Sequence, residues 1–433
     1  MKALSSSRKS FGDRRLVCAF VLGLFGLAGA TAAPNAQERE SNAREEPSSA
    51  RVGLFSEPRF IGRGIDFGTR TIGDGSGMKN GFYLELSNMV TGAGWISGGP
   101  GYRYWLFDDR AVVETSAAYS WRGYKMAQAR FEFTRLAKSR VAVGSQARWQ
   151  DYMQVSYFGD GPDTLESSRS EYRMRSTNVV GYGTVRPAQW LAVTGRIGWL
   201  GRPSLLEPGG RFMRGNPSVR EAFPDNIVFT LAEQPRYIHG EASVVADTRD
   251  YRSYPSEGGV YRAAWTRYAD RDAGTFSFDR YEAEAAHFVP VVDRRLVLAF
   301  HGWLVGSQTA DGHAVPFYLE PGLGGNNTLR SVTDYRFHDR NMVVATAEAR
   351  LALFTHVDGV LFVDAGNVGP RVADLDFAKR AYGIGMRVHS NRATFGRVDV
   401  AHGVEGWNFL FRLNDPLHLS RLSKRTAAAP FAP

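Results

Sequence analysis

Residues 322–341 read GLGGNNTLRSVTDYRFHDRN, and residues 342–366 continue MVVATAEARLALFTHVDGVLFVDAG. A glycine-rich loop carrying Leu329 and Arg330 thus runs into two alternating segments joined by a tight turn. In an extended chain successive side chains point to opposite faces. Val343, Ala345, Ala347, Ala349, Leu351 and Leu353 therefore share one face, and Thr346, Glu348 and Arg350 the other. In the next segment Leu361, Val363 and Ala365 oppose Phe362, Asp364 and Gly366. Two carboxylates, Glu348 and Asp364, come to the polar face of neighbouring strands beside a loop that carries one arginine. A guanidinium inside an enclosed space needs carboxylate partners, because an unpaired buried charge is costly. The plain alternative is that Arg330 is a solvated loop residue.

The same alternation recurs along the chain. Sixteen short segments of period two, separated by turn residues, fill 81–413: 81–90, 97–106, 111–121, 124–136, 141–157, 171–185, 190–200, 237–247, 259–269, 276–289, 295–305, 342–354, 359–366, 381–389, 394–401 and 406–413. Connections after even-numbered segments are mostly short (107–110, 137–140, 186–189, 355–358, 390–393), whereas those after odd-numbered segments include the long ones (158–170, 201–236, 306–341, 367–380). An even strand count with short turns on one side and long loops on the other is the pattern of a transmembrane barrel. A mean hydropathy of -0.29 does not oppose this, since a barrel strand shows only half its residues to lipid. Aromatics near strand ends, such as Tyr119, Trp121 and Trp407, suit the interfacial girdle. The expected fold is all-β, a 16-stranded antiparallel transmembrane β-barrel. A soluble array of β-sandwiches is the alternative, and no domain linkers support it.

Residues 1–32 read as a secretory signal: Lys2, Arg8, Lys9, Arg14 and Arg15, then the apolar run 16–30, then a small-residue cleavage site. Cys18, the one cysteine, lies inside it, so the mature chain is expected to have no disulfide and no cysteine-ligated metal. The signal carries +5 and, with Asp13, -1; subtracting +4 from +9 leaves +5 on the rest. That excess is too small to argue for nucleic acid. Residues 33–80 are a polar, turn-rich lead-in, 81–413 the barrel, and 414–433 a tail.

These motifs together resemble the outer-membrane assembly-factor superfamily, which includes BamA, TamA and the two-partner-secretion transporters and whose members are often called bacterial surface antigens. Its loop motif [VL]-R-G-[FY], followed by D-[FY]-R-[FY], stands here as Leu329-Arg330-Ser331-Val332 and Asp334-Tyr335-Arg336-Phe337. Its strand carboxylate is Glu348, and its F-x-D-x-G is Phe362-Val363-Asp364-Ala365-Gly366. D-T-R-D followed by Pro and Gly appears as Asp247, Thr248, Arg249 and Asp250 with Pro255 and Gly258, and Y-F-G-x-G as residues 157–161. Ser331 and Val332 depart from the family's glycine and aromatic. The resemblance implies a barrel in the outer membrane of a Gram-negative bacterium, in a short form without periplasmic POTRA modules. It implies protein translocation or insertion, with Arg330 locked on Asp364 and Glu348. The partners it implies are outer-membrane lipid, lipopolysaccharide and a moving polypeptide, with a homodimer open. Weak pairing of the first and last strands, helped by Gly81, Gly403 and Gly406, would serve as a lateral gate.

Other chemistry finds little footing. His313, His338 and His402 could lie in outer loops, but no spacing joins them to a nucleophile and no G-x-S-x-G is present. No H-E-x-x-H or ligand cluster suggests a metal, and no strand–helix context makes a nucleotide site of the glycine pairs. No enzyme activity and no cofactor are expected; a passive pore or structural surface protein is the competing function. A closed barrel resists detergent unfolding because it leaves no free edge. The mature chain should therefore fractionate with the outer membrane and run faster on gels unheated than boiled; recovery in the soluble periplasm would sink the barrel assignment.

Overall fold

The structure, a computed structural model, describes residues 53–72, 80–86, 97–209, 215–225, 234–252, 254–292, 294–325, 327–390, 394–413 and 417. The expected signal 1–32 and nearly all of the tail 414–433 lie outside the described residues.

Sixteen long strands follow one another. The first half comprises β1 Gly81–Leu86, β2 Ser97–Leu106, β3 Ala111–Ser120, β4 Lys125–Leu136, β5 Val141–Tyr157, β6 Ser170–Ala188, β7 Leu191–Leu200 and β8 Tyr237–Asp247. The second half comprises β9 Gly258–Asp270, β10 Phe278–Val292, β11 Leu296–Thr309, β12 Asn341–Phe354, β13 Val357–Gly369, β14 Lys379–His389, β15 Thr394–Gly403 and β16 Gly406–Arg412. Each is antiparallel to the next, from β1 on β2 to β15 on β16. Each of the sixteen expected segments falls on one of these strands. Three further pieces, Ser204–Leu206, Gly322–Leu323 and Phe337–His338, are short ladders within loops. Among the described residues no ladder registers β1 against β16.

Burial is inverted relative to a protein that folds in water. Phe82, Ile197, Leu361, Ile384, Trp407 and Phe409 are exposed, whereas Glu132, Asp151, Glu284, Arg350, Asp364 and Arg387 are buried. In water an exposed apolar band of this size would be a liability. Against lipid it is the favoured arrangement, and the chain is the wall between acyl chains and a polar interior. That interior is satisfied by cross-strand pairs, as buried charge requires. Arg173 forks onto Asp151 at 2.7 and 2.6 Å. Arg262 bridges Glu241 and Glu282, both at 2.9 Å. His301 meets Glu284 at 2.9 Å.

The ends of the sheet differ. On one side the turns are tight: Phe107, Asp108 and Asp109, and again Ala137, Lys138 and Ser139, all have positive φ between 48° and 66°. The connections from β5 to β6, β7 to β8, β11 to β12 and β13 to β14 leave from the other side, as the antiparallel order requires. One element was not expected. The polar lead-in contains a helix, α1 Arg59–Ile72. Leu54 and Phe55 before it donate backbone hydrogen bonds, each 2.9 Å, to the carbonyls of Ala352 and Leu353 at the tight-turn end of β12.

This sidedness is testable by labelling intact cells with an impermeant thiol reagent, after Cys18→Ser. Asp163→Cys and Pro208→Cys, in long loops, should react; Ser139→Cys, in a tight turn, should not. The reverse pattern would invert the topology.

Candidate functional site: the loop lock inside the barrel

The loop 310–340 between β11 and β12 folds back on itself. Gly322 and Leu323 pair antiparallel with His338 and Phe337. Between these rungs Thr328 Oγ1 accepts from the Gly324 amide at 2.8 Å and donates to the Gly324 carbonyl at 3.0 Å. Gly324 and Gly325 have φ of +133° and +84°, and a Cβ on Gly325 would overlap the Asp334 carboxylate. The glycine pair therefore lets the loop close, which a side chain would prevent.

This hairpin delivers Arg330 to the inner faces of β12 and β13. Arg330 Nε and Nη2 donate to the two oxygens of Asp364 at 2.8 and 2.7 Å, and Nη1 donates to Glu348 Oε1 at 2.7 Å. Its backbone amide adds a bond to Asp364 at 3.2 Å. The bidentate fork is the strong geometry for this pair. Thr346 Oγ1 donates to Asp364 at 3.0 Å from the same face of β12. The Phe362 ring lies under the guanidinium, 3.4 Å from its centre, adding a cation–π contact. Asn408 of β16 donates to the Arg330 carbonyl at 2.9 Å and so ties the loop to the last strand. Leu329 and Val332 on either side are buried with Trp303, Leu323 and Phe337.

The site is drier than a water-filled lumen: the Arg330 side chain is 3% exposed and those of Glu348 and Asp364 are 0%. It also extends further than the motif. Glu348 takes a second cation, Arg350, at 2.8 Å and a third, Arg387, at 3.4 Å. Arg387 reaches Asp399 at 2.6 Å, and Arg397 reaches it at 3.4 Å. Sequence reasoning missed Arg387, Arg397 and Asp399, although their strand phase points them inward.

The other motif residues sort into three places. Gly366 gives room to the Val343 carbonyl of β12, which would lie 2.5 Å from a Cβ there, with Leu323 Cδ1 next at 3.2 Å. Asp334 accepts from Arg412 at 3.4 Å. Arg336 donates to the Thr164 hydroxyl and carbonyl at 2.9 and 2.8 Å and also to Glu405. It lies between the rings of Phe337 and Phe158, 4.3 and 4.6 Å away. Arg336 thereby staples the loop to two neighbouring outer loops. The Y-F-G-x-G segment meets the same loop, with Gly161 donating to the His338 carbonyl at 2.7 Å. Nearby, burial, then the charges of Asp160 and Asp339, push the Glu320 carboxyl well above its ordinary range.

Asp247, Arg249 and Asp250, which belong to the separate D-T-R-D motif, lie where β8 runs into the turn leading to β9. Arg249 forks onto Asp247 at 2.8 and 2.7 Å, and Asp250 accepts from the amides of Tyr251, Ser256 and Glu257. They build the 248–257 turn. Gly403 pairs with Gly406 at the start of β16, and a Cβ on it would overlap Ser331. The wall glycine therefore makes room for Ser331, the residue that departs from the loop motif.

Residues 232–405 match the family model described as the Omp85 superfamily domain. No curated protein matches the chain. Among solved structures, BamA from Haemophilus ducreyi lacking POTRA domains 1-3 is similar at 13% identity and a TM-score of 0.56, over 77% of this chain and 70% of that one. CdiB from Acinetobacter baumannii is similar at 12% identity and a TM-score of 0.47, over 77% of this chain and 58% of that one. CdiB from Escherichia coli is similar at 12% identity and a TM-score of 0.49, over 77% and 61%. At 13% identity the first likeness is one of fold; the other two fall too low in TM-score to carry an argument.

Arg330→Ala would leave Asp364 and Glu348 facing each other without their shared cation. Breaking a buried pair from one side costs roughly 3–5 kcal/mol. A wet lumen would put the cost well below that; the enclosure seen here places it near the range. Urea unfolding in micelles measures it. Arg330→Lys should recover only part, because an ammonium lacks the fork. A double-mutant cycle between Arg330 and Asp364 with no coupling would show that the loop does not dock there.

Proposed function

We propose that this chain, a barrel carrying an Omp85 superfamily domain, sits in a Gram-negative outer membrane and moves or inserts polypeptide there. The observation that carries the reading is the locked loop. A long loop is drawn into the barrel and held by a bidentate arginine, and Asn408 of β16 adds a hold from the last strand. A passive pore has no use for a buried lock of this kind, whereas a translocator needs its lumen closed until a substrate arrives.

The seam is the working edge of this mechanism. β1 is paired with β2 over Gly81–Leu86, and Gly81 and Gly406 at its borders have positive φ. Glycine there weakens pairing, so the β1–β16 edge is the place where a substrate strand could be admitted. Release of Arg330 would free the loop and Asn408 together, coupling lumen to seam. The partners in this reading are the polypeptide that is moved, phospholipid and lipopolysaccharide against the apolar wall, and, as an open arrangement, a second copy. The reading assigns the chain no catalytic chemistry and no cofactor.

Deletion followed by comparison of the outer-membrane proteome tests the function: depletion of other outer-membrane or exported polypeptides is expected, and an unchanged proteome argues for a structural role. Planar-bilayer recording separates the pore alternative. Small, erratic openings that enlarge in Arg330→Ala fit the plugged translocator. A large, steady, ion-selective step in the unaltered protein fits the pore.

A further inference from the structure

We infer that residues 53–65, at the tight-turn end of the barrel, form a docking surface for the anionic phospholipid leaflet that borders that end. This rests on the membrane-barrel reading above and assigns an anionic lipid surface to a segment for which that reading has no use.

Three observations support it. First, the segment joins the lipid-facing wall. The Leu54 and Phe55 amides sit on the carbonyls of Ala352 and Leu353. Phe55 meets the Phe354 ring at 6.0 Å. Leu353 itself packs over Gly359, since a Cβ there would lie 3.1 Å from its Cδ1. Leu361, two residues on, is 62% exposed on the outer wall. Second, the segment shows large apolar side chains: Leu54 is 55%, Phe55 57% and Phe60 74% exposed. Third, its free charge is of one sign. Glu57 is taken up by His356, bonded to its amide at 2.8 Å and its ring at 2.9 Å. Arg59 and Arg63 are exposed and form no ion pair among the described residues.

The helical phase arranges these groups. At 3.6 residues per turn Phe60, Gly64, Ile61 and Ile65 fall on one arc, and Arg59 and Arg63 on the arc beyond Phe60. Ile65 is buried, so the Ile61–Ile65 side lies toward protein. Phe60 is then the apolar group between the protein-facing side and the arginines. An aromatic dipping below the headgroups with basic residues at their level is how an interfacial helix binds. The outer-leaflet side of the barrel is at the other end, so phospholipid is the surface within reach. A periplasmic protein is the competing occupant.

The test uses the full chain with Cys18→Ser and Phe60→Cys, labelled with an environment-sensitive fluorophore. It is refolded into vesicles of phosphatidylethanolamine with phosphatidylglycerol and, separately, of phosphatidylcholine alone. We expect a blue shift and quenching by spin-labelled lipid in the anionic vesicles, with little quenching by aqueous iodide. Arg59→Gln and Arg63→Gln should each weaken the docked population about fivefold, and added salt should act in the same direction. Equal lipid quenching in the two vesicle types overturns the anionic partner. Iodide quenching without lipid quenching overturns the docking altogether, provided the heat-modifiable band shows the barrel inserted. Loss of that band in the chain with Cys18→Ser alone would overturn the barrel reading, and this inference with it.

Discussion

A guanidinium enclosed in protein must be paired, and the second half of this barrel is arranged around that requirement. Arg330 brings one positive charge into a space where its side chain is 3% exposed. The fork on Asp364 and the third bond to Glu348 require β12 and β13 to hold their phases so that both carboxylates face inward. The loop must also turn sharply enough to reach them, which explains Gly324 and Gly325. Once the charges are inside, further charges follow: Glu348 carries Arg350 and Arg387, and Asp399 shares Arg387 with Arg397. Such a network favours one seating of the loop over a slipped one, because a shift would strand several charges at once.

The remainder of the wall answers to two solvents. The alternation that sends Glu132, Asp151 and Glu284 inward sends Ile197, Leu361 and Trp407 outward. A mean hydropathy of -0.29 is the average of these two faces and describes neither. The hydrophobic effect here positions the chain in a bilayer and leaves interior cohesion to ion pairs and hydrogen bonds.

The strands were legible because period two over about ten residues is a strong local signal, and the alternation of short and long connections gave their direction. Arg330, Glu348 and Asp364 were legible because a motif places the first and strand phase the others. What escaped is non-local or masked by composition. Nothing near Arg336 in sequence points to Thr164, its partner across the loops. Asp247, Arg249 and Asp250 belong to a separate motif and serve the turn that follows β8, and residue type alone does not separate a turn brace from a lumen charge. The helix Arg59–Ile72 was hidden by Gly62, Gly64 and Gly68, which weaken helix propensity, so that its Ile61–Ile65 spacing passed as part of a polar lead-in.

Ser331 and Gly403 occupy one another's space. Where the resembling family is described by a glycine after the loop arginine, this chain has a serine, and the glycine stands in the wall opposite. The steric allowance at this contact has changed sides without being lost. Loop and wall are consequently a matched set, and neither half is interchangeable alone. A loop grafted in with the usual glycine would leave a void against β15, while a wall grafted in with any larger residue at 403 would bar this loop from seating. Exchange between relatives should therefore succeed only in units that carry both surfaces of the contact.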